Sequence, residues 1–162
     1  MRKVLGVDVG GVIIDKTNDR TDTSFFGPNF LQTTAVPGVF EALRTLGDFE
    51  IHLVSKCGPG VQAKTRLWLA HHQFFERTGI RPERLHFCLT RPEKAPICTT
   101  LGVTHFVDDR LDVLDYLVDV PNLYLFQPND RDAARYQRQP QRARMVGSWA
   151  EIVELMRQAA TR

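Results

Sequence analysis

Short runs of apolar residues recur along this chain, and most of them are nearly continuous instead of alternating with polar residues. Continuous runs of this length are typical of strands whose two faces are both covered by helices. The pattern therefore predicts six strands, of which the last is weak. They lie at residues 4–7, 51–54, 85–89, 104–107, 123–126 and 145–146.

Between the predicted strands, apolar residues recur at helical spacing. One stripe comprises Val39, Phe40, Leu43 and Leu46, and another comprises Leu111, Leu114, Leu117 and Val118. The clearest helix start is the S-x-x-E capping box of Ser148 and Glu151, after which apolar residues follow at i, i+3, i+4 and i+7 from Trp149. This alternation predicts an α/β protein with a mainly parallel central sheet and helices on both faces.

Three segments do not follow the alternation. Residues 16–35 are polar and irregular, and residues 75–84 read as a connector. Residues 130–144 are rich in arginine and glutamine and contain Pro140, which suggests a loop or a solvated helix face. We find no internal repeat and no boundary that would divide the chain, so the sequence predicts a single domain over residues 1–162.

Composition is ordinary for a soluble globular protein, with 43% apolar residues, 25% charged residues and a net charge of +2. The start of the chain superficially resembles a signal peptide, but Asp8 interrupts its apolar stretch and no small-residue cleavage site follows. The three cysteines form no C-x-x-C pair. We therefore expect a soluble, unprocessed protein of a reducing, cytoplasmic compartment, with no membrane association.

Polar residues stand at the ends of the predicted strands. Asp8 ends the first strand, Ser55 the second, and Asp108 and Asp109 the fourth, while Lys94 follows the third. The carboxyl ends of parallel strands share one edge of an open α/β sheet, where ligands bind. The sequence therefore predicts that these side chains converge on one pocket.

That set of side chains suits phosphate chemistry. Asp8 and Asp108 offer the hard oxygen ligands that Mg²⁺ prefers, and a carboxylate can also attack phosphorus to form an aspartyl-phosphate. Lys94 would offset charge on the transferred phosphoryl group, and Ser55 would donate a hydrogen bond to one of its oxygens.

Each residue also has a simpler explanation. Ser55, or the pair of Asp108 and Asp109, could cap a following helix. Taken alone, Lys94 is best explained as an exposed loop lysine, and the adjacent Gly10 and Gly11 as a turn. Because the residues occur in order at successive strand ends, however, a shared site is the better explanation of the whole set.

Four stretches together resemble the motifs of the haloacid dehalogenase superfamily. LGVDVGGVIID at residues 5–15 resembles the first motif, which ends a strand with a nucleophilic Asp, and LVSKCG around Ser55 resembles the second. Lys94 in RPEKAP resembles the lysine of the third motif, and HFVDDRLD resembles the acidic fourth motif. No single motif is specific, but their order and spacing are typical of the family.

The resemblance implies a three-layer, Rossmann-like fold and a phosphohydrolase that uses Mg²⁺. It implies a metal site of Asp8, the Gly10 carbonyl and Asp108, with Asp109 or Asp112 in the outer shell. It also assigns catalysis to Asp8, Ser55 and Lys94. Substrate contacts would come from Gly11, Ser55, Lys56 and Lys94.

Members of this family often carry a cap domain over the site. Here the first insertion point offers only about residues 16–35, so the resemblance implies a member with no sizeable cap. An open site suits a phosphorylated macromolecule as substrate, or a cap supplied by a partner subunit. The oligomeric state is left open.

One position departs from the family pattern. Family phosphatases carry a second Asp two residues after the nucleophile, which acts as general acid and then as general base; here that position is Gly10. Glycine cannot protonate a leaving group or activate water. Impaired turnover is therefore expected, and a non-catalytic, phosphate-binding or regulatory protein is the second hypothesis.

A third hypothesis is processing of nucleic acid, based on the late basic segment. Arg131, Arg135, Arg138, Arg142, Arg144 and Tyr136 would carry it. The low net charge favours a solvated surface instead. Because residues 128–144 follow the fifth strand, we also predict that they border the pocket and direct an arginine to an anionic group. His52 and His105 lie within strands and are predicted to be packing residues.

Overall fold

The structure is a computed structural model that describes residues 2–16 and 25–160, with side chains up to residue 158. Its described strands form one six-stranded sheet in the order β3-β2-β1-β4-β5-β6. All the pairings are parallel. The strands are β1 (Val4–Val7), β2 (Glu50–Lys56), β3 (Leu85–Cys88), β4 (His105–Asp108), β5 (Asn122–Phe126) and β6 (Arg144–Val146). The predicted parallel sheet is confirmed, including the weak last strand.

The helices follow the strands along the chain. They are α1 (Val39–Thr45), α2 (Pro59–His71), α3 (Phe74–Thr78), α4 (Lys94–Leu101), α5 (Leu111–Tyr116), α6 (Asp130–Arg138) and α7 (Trp149–Ala160). Single 3₁₀ turns occur at Phe30–Gln32 and Pro82–Arg84. The helices indicated by the two apolar stripes and by the capping box are confirmed.

Two segments contain more helix than the apolar pattern indicated. The expected connector at 75–84 contains most of α3, a single short helix anchored by the buried Phe74. In the basic segment, α6 has few apolar residues, and its ends stabilise it instead. The side chain of Asn129 accepts a hydrogen bond from the backbone N–H of Asp132, and acidic residues fill the first turn.

Strand side chains point alternately to two separate hydrophobic cores. One core joins strand residues such as Leu5 and Leu53 to α1, α2, α3 and α7. The other joins Val54, Phe106 and Leu125 to α4 and α5, with α6 at its edge. The described residues therefore form three layers, with the sheet between two layers of helices, as predicted.

The order of the strands determines where a ligand can bind. From β1 the chain builds outward through β2 and β3, and then returns to the other side of β1 with β4. Such a reversal opens a crevice beyond the carboxyl ends of the two strands beside it. In this sheet those strands are β1 and β4, which end next to Asp8 and at Asp108.

Two buried indoles anchor the backbone around this crevice. Trp149 of α7 donates its Nε1–H to the carbonyl of Val12, at 2.9 Å, in the turn that follows β1. Trp68 of α2 donates its Nε1–H to the carbonyl of Thr33, at 3.0 Å. The predicted insert at 16–35 is thus tied to the core at its end, while its residues 17–24 lie outside the described part of the chain.

Candidate active site

Asp8 and Asp108 lie side by side because β1 and β4 pair in register. Val7 is paired with Val107, and the backbone N–H of Asp8 donates to the carbonyl of Val107 at 3.0 Å. Asp108 is completely buried and Asp8 is 8% exposed. The sheet register thus brings together two carboxylates that are far apart in the sequence.

Lys94 bridges these two carboxylates. Its Nζ lies 3.0 Å from Oδ1 of Asp8 and 2.9 Å from Oδ2 of Asp108. The residue is 2% exposed at the start of α4. The exposed loop position considered from the sequence is therefore wrong, since the two ion pairs offset the cost of burying the ammonium group. Burial alone would lower the pKa of Lys94, but Asp108 and Asp8 outweigh burial and raise it.

Asp109 completes an acidic cluster with Asp8 and Asp108. Carboxylate oxygens of the three residues all lie within 4.8 Å of one another. Burial, reinforced by the charge of Asp8, raises the pKa of Asp108 to about 6. Burial and the charges of Asp8 and Asp108 raise the pKa of Asp109 to about 8, although Lys16 opposes this by donating a hydrogen bond from its Nζ to Oδ2. The three carboxylates therefore disfavour ionisation of one another, and the ammonium groups of Lys94 and Lys16 offset part of this repulsion.

The two glycines after Asp8 differ in what they allow. Gly11 has φ +80°, and an added Cβ would lie 2.5 Å from Oδ2 of Asp109, so a side chain is excluded there. Gly10 has no positive φ, and among the described residues its added Cβ would contact only Cε of Lys16, at 3.9 Å. The position of the family's general acid is therefore open to a side chain that this sequence does not provide.

Ser55, Lys56 and Cys57 line the same pocket at the end of β2. Ser55 is 6% exposed, and its Oγ lies 3.9 Å from Sγ of Cys57, while Lys56 is exposed. The predicted strand end at Ser55 is one residue short of the observed end. Burial raises the pKa of the Cys57 thiol, which does not suit a reactive thiolate.

The acidic cluster fits a divalent cation. Oxygen ligands from carboxylates are those that Mg²⁺ prefers. Oδ1 of Asp109 is buried without a hydrogen-bond partner among the described residues. Asp112 is placed differently, since its Oδ2 accepts a hydrogen bond from Arg91. Of the two aspartates considered for the outer shell, Asp109 is therefore the one within the cluster.

The pocket beside the cluster has a volume of about 380 Å³. Basic side chains that sequence reasoning did not single out also line it, namely Lys16, Arg91 and Arg110. Each lies in or within a few residues of one of the four motif-like stretches, and this proximity could have identified them from the sequence. Gly11 lines an adjoining depression instead, together with Lys16, Asp109 and Arg110.

The prediction that an arginine of the late segment reaches the pocket is wrong. Among the described residues, none from 130–144 lines it, and only Asn129 borders the adjoining depression. Nη2 of Arg135 lies 2.5 Å from Oδ2 of Asp115, and Arg142 donates to the carbonyls of Leu117 and Val120. These arginines therefore bind other parts of the protein, because α6 folds back onto the α5 side of the sheet.

Solved structures share this arrangement of helices and strands. A D,D-heptose 1,7-bisphosphate phosphatase from Burkholderia thailandensis superposes with a TM-score of 0.64 at 14% identity, over 96% of this chain and 98% of its own. A haloacid dehalogenase-like family hydrolase from Xanthomonas campestris gives 0.66 at 12% identity, over 99% of both chains. No protein-family model and no curated protein matches the sequence.

The parallel sheet, its strand order and the acidic cluster define an α/β protein with a ligand crevice at the reversal of the strand order. The structural matches make this more specific: the chain has the fold of the haloacid dehalogenase-like hydrolases. Within residues 2–16 and 25–160, no helix is long and apolar enough to cross a membrane.

Proposed function

We propose that this protein is a magnesium-dependent phosphohydrolase that acts through an aspartyl-phosphate on Asp8. The observation that carries the proposal is the buried cluster of Asp8, Asp108 and Asp109, with Lys94 bound between the first two. The likeness to a bisphosphate phosphatase supports phosphate esters as the substrate class.

In the first step, the phosphoryl group is transferred to Asp8. A carboxylate oxygen of Asp8 attacks phosphorus, and the bond from phosphorus to the leaving oxygen breaks, with the electron pair going to that oxygen. Lys94 stays beside Asp8 and offsets the charge of the phosphoryl group. Ser55 donates a hydrogen bond to a phosphoryl oxygen, and exposed Lys56 attracts the anionic substrate.

The second step regenerates the enzyme. Water attacks phosphorus, the bond between phosphorus and Asp8 breaks, and phosphate leaves while the carboxylate recovers its electron pair. Asp8, the Gly10 carbonyl, Asp108 and Asp109 would hold Mg²⁺, whose charge reduces the repulsion between Asp8 and an anionic substrate.

Gly10 limits both steps, because neither the leaving oxygen nor the attacking water has a carboxyl group at this position for proton transfer. General acid–base catalysis contributes about 10²–10⁴-fold. We therefore expect weak hydrolysis of alkyl phosphates, better turnover of aryl phosphates, and accumulation of phosphorylated Asp8. The same glycine favours a second candidate function, a phosphate-binding or regulatory protein without turnover.

The wider setting of the protein is part of the proposal. The three cysteines are free, which suits a reducing compartment such as the cytoplasm. We expect no sizeable cap over the pocket, so that a phosphorylated macromolecule or a second subunit would cover it. Both expectations are open to test by fractionation and by measurement of the oligomeric state.

Substitution of Gly10 by Asp tests the proposed chemistry. We expect Gly10→Asp to raise hydrolysis of glycerol phosphate by about 10²–10⁴-fold in magnesium, because it supplies the missing proton donor at a position open to a side chain. Hydrolysis of 4-nitrophenyl phosphate should rise less, since its leaving group needs little protonation. Phosphate release is the measurement.

Gly10→Ala is the matched control, because it adds a side chain without a carboxyl group. A folded, magnesium-binding Gly10→Asp protein that is no faster than Gly10→Ala would contradict the account of a missing acid. Rapid hydrolysis of glycerol phosphate by the wild-type protein would contradict it as well. If the wild type binds magnesium but releases phosphate from neither ester, the non-catalytic candidate is favoured.

A further inference from the structure

The pocket beside Asp8 has an apolar wall as well as a charged end. Ile14, Phe25, Phe26 and Val61 line it together with the aspartates and lysines described above. Phe26 stands out because 67% of its surface is exposed, while Phe25 and Ile14 are buried. A large exposed aromatic side chain at the border of a polar site is a feature of ligand-binding surfaces.

Neighbouring contacts hold this wall in place. The Phe25 ring meets Phe26 edge-on with centroids 6.1 Å apart, and meets Phe30 in the same way at 6.0 Å. The backbone that follows is anchored to α2 through the carbonyl of Leu31, 2.8 Å from Nε2 of His72, and through the Trp68 indole. Phe26 is therefore presented to the pocket by an anchored support, which reduces the entropic cost of binding a ligand against it.

The volume of the pocket exceeds what a phosphoryl group needs. A pocket of about 380 Å³ is within the range of small-molecule sites, about 300–1,000 Å³, and a phosphoryl group alone is much smaller. The alcohol part of an ester can lie in the remaining space, which Phe26 borders.

Gly10 restricts that alcohol independently. Without an acid at this position, the leaving oxygen departs most easily when its own pKa is low. The phenolic hydroxyl of tyrosine, with a pKa of about 10, shows that aromatic alcohols are comparatively good leaving groups. A missing proton donor and an exposed aromatic wall thus favour the same kind of ester.

We propose that the preferred substrates are phosphate monoesters of aromatic alcohols, whose ring packs against Phe26 while the phosphoryl group lies at Asp8. This inference rests on the proposed function and specifies its substrate class. Phe26 is then the residue that distinguishes aromatic from small aliphatic esters.

Non-hydrolysable phosphonates test the inference without requiring turnover. Benzylphosphonate carries an aromatic ring and methylphosphonate does not, so calorimetric titration of the magnesium-loaded protein with both gives an affinity ratio. We expect the wild type to prefer benzylphosphonate and Phe26→Ala to lower the ratio about tenfold, the size of one aromatic contact. Phe26→Tyr should restore most of the ratio, because it retains the ring.

Leu67→Ala is the matched control, since Leu67 is 57% exposed on α2 and does not line the pocket. It should leave the ratio unchanged. If both phosphonates bind but the ratio is the same in wild type and Phe26→Ala, this inference is overturned while the proposed phosphate site stands. If neither phosphonate binds, the inference and the proposed function fail together.

Discussion

The acidic cluster at the ends of β1 and β4 and the histidine pair on β2 and β3 both bury ionisable side chains, with opposite electrostatic outcomes. Nδ1 of His52 lies 2.9 Å from Nε2 of His86, so one neutral imidazole donates to the other. Burial lowers the pKa of both histidines, which favours their neutral forms, although Glu50 opposes this at His52. In the cluster, the carboxylates of Asp8, Asp108 and Asp109 lie close enough to repel one another, and the ammonium groups of Lys94 and Lys16 offset part of their charge.

This electrostatic difference between the two groups helps to distinguish side chains that only pack from side chains that form a functional site. The hydrogen bond between the two rings satisfies one nitrogen of each, whereas Nε2 of His52 has no hydrogen-bond partner among the described residues. Three adjacent carboxylates remain costly unless cations offset them, and such groups concentrate at functional sites. The cluster therefore has the donor groups that fit a cation, whereas His52 and His86 contact each other across neighbouring strands.

Removal of Lys94 should have the largest effect. Lys94→Met leaves Asp8 and Asp108 facing each other without their shared ammonium group, and loss of one partner of a buried ion pair costs about 3–5 kcal/mol. We expect the free energy of unfolding of the metal-free protein to fall by this amount at neutral pH. Urea denaturation is the measurement, and added magnesium should recover part of the loss.

Lys3→Met is the control for Lys94→Met. The Lys3 ammonium pairs with Asp48 at 3.2 Å on the surface, where such pairs contribute about 1 kcal/mol or less. Equal losses from the two substitutions would mean that the carboxylates of the cluster do not need the buried ammonium group.

Magnesium should stabilise the protein increasingly as the pH rises. The folded, metal-free protein keeps protons on Asp108 and Asp109 up to about pH 6 and about pH 8, whereas unfolded aspartates release them near 3.8. Because the folded state then binds more protons, its stability falls as the pH rises from about 4 to about 8. Magnesium binds the ionised carboxylates and should oppose this loss, by about 2.7 kcal/mol at a hundredfold excess over Kd.

Thermal melts with magnesium and with chelator, across this pH range, measure the effect. Asp108→Asn should abolish the magnesium-dependent shift, and Asp112→Asn should retain it, because Asp112 pairs with Arg91 outside the cluster. If the wild type and Asp108→Asn give equal shifts, the metal site has to be abandoned.

The histidine pair should give the smallest effect, and of opposite sign. In the unfolded chain, histidines take up protons below about pH 6.5, whereas the lowered pKa values of His52 and His86 keep the folded protein from doing so at the same pH. The unfolded state therefore binds more protons, and the stability that the two histidines contribute is lost as the pH falls. We expect this loss to appear as the pH falls below about 6.5 in saturating magnesium. His86→Gln should make the decline shallower, which chemical denaturation at several pH values would reveal. An unchanged decline would show that other groups cause it.

The sequence was sufficient for those parts of the fold that depend on apolar runs. All six strands were predicted to within a few residues: β1, β2, β4 and β5 are buried over most of their length, and the edge strands β3 and β6, although only partly buried, still contain short apolar runs. Helix α6 was not clearly predicted, since capping by Asn129 and charges near its ends stabilise it in place of an apolar stripe. A helix that is stabilised by capping and by charges at its ends does not require apolar residues at helical spacing, so the sequence pattern does not reveal it.

For the site, the sequence predicted which residues would converge but not their environment. Asp8, Ser55, Lys94 and Asp108 line one pocket, as their positions at strand ends suggested. The burial of Lys94 depends on two carboxylates from distant segments, so no local pattern could indicate it. The exposure of Phe26 and the path of α6 away from the pocket likewise result from tertiary packing alone.

The strand order also has a consequence for the making of the protein. β1 lies in the middle of the sheet and pairs with β4 on one side. Asp8 therefore cannot lie beside Asp108 until the ribosome has synthesised the chain as far as residue 108. At about 5–20 residues per second, a ribosome needs roughly 5–20 s to add those hundred residues. During that interval the nascent chain exposes an unpaired edge of β1, and closure over such a long loop is slow. The carboxylate pair of Asp8 and Asp108 therefore assembles only after about two thirds of the chain has been made.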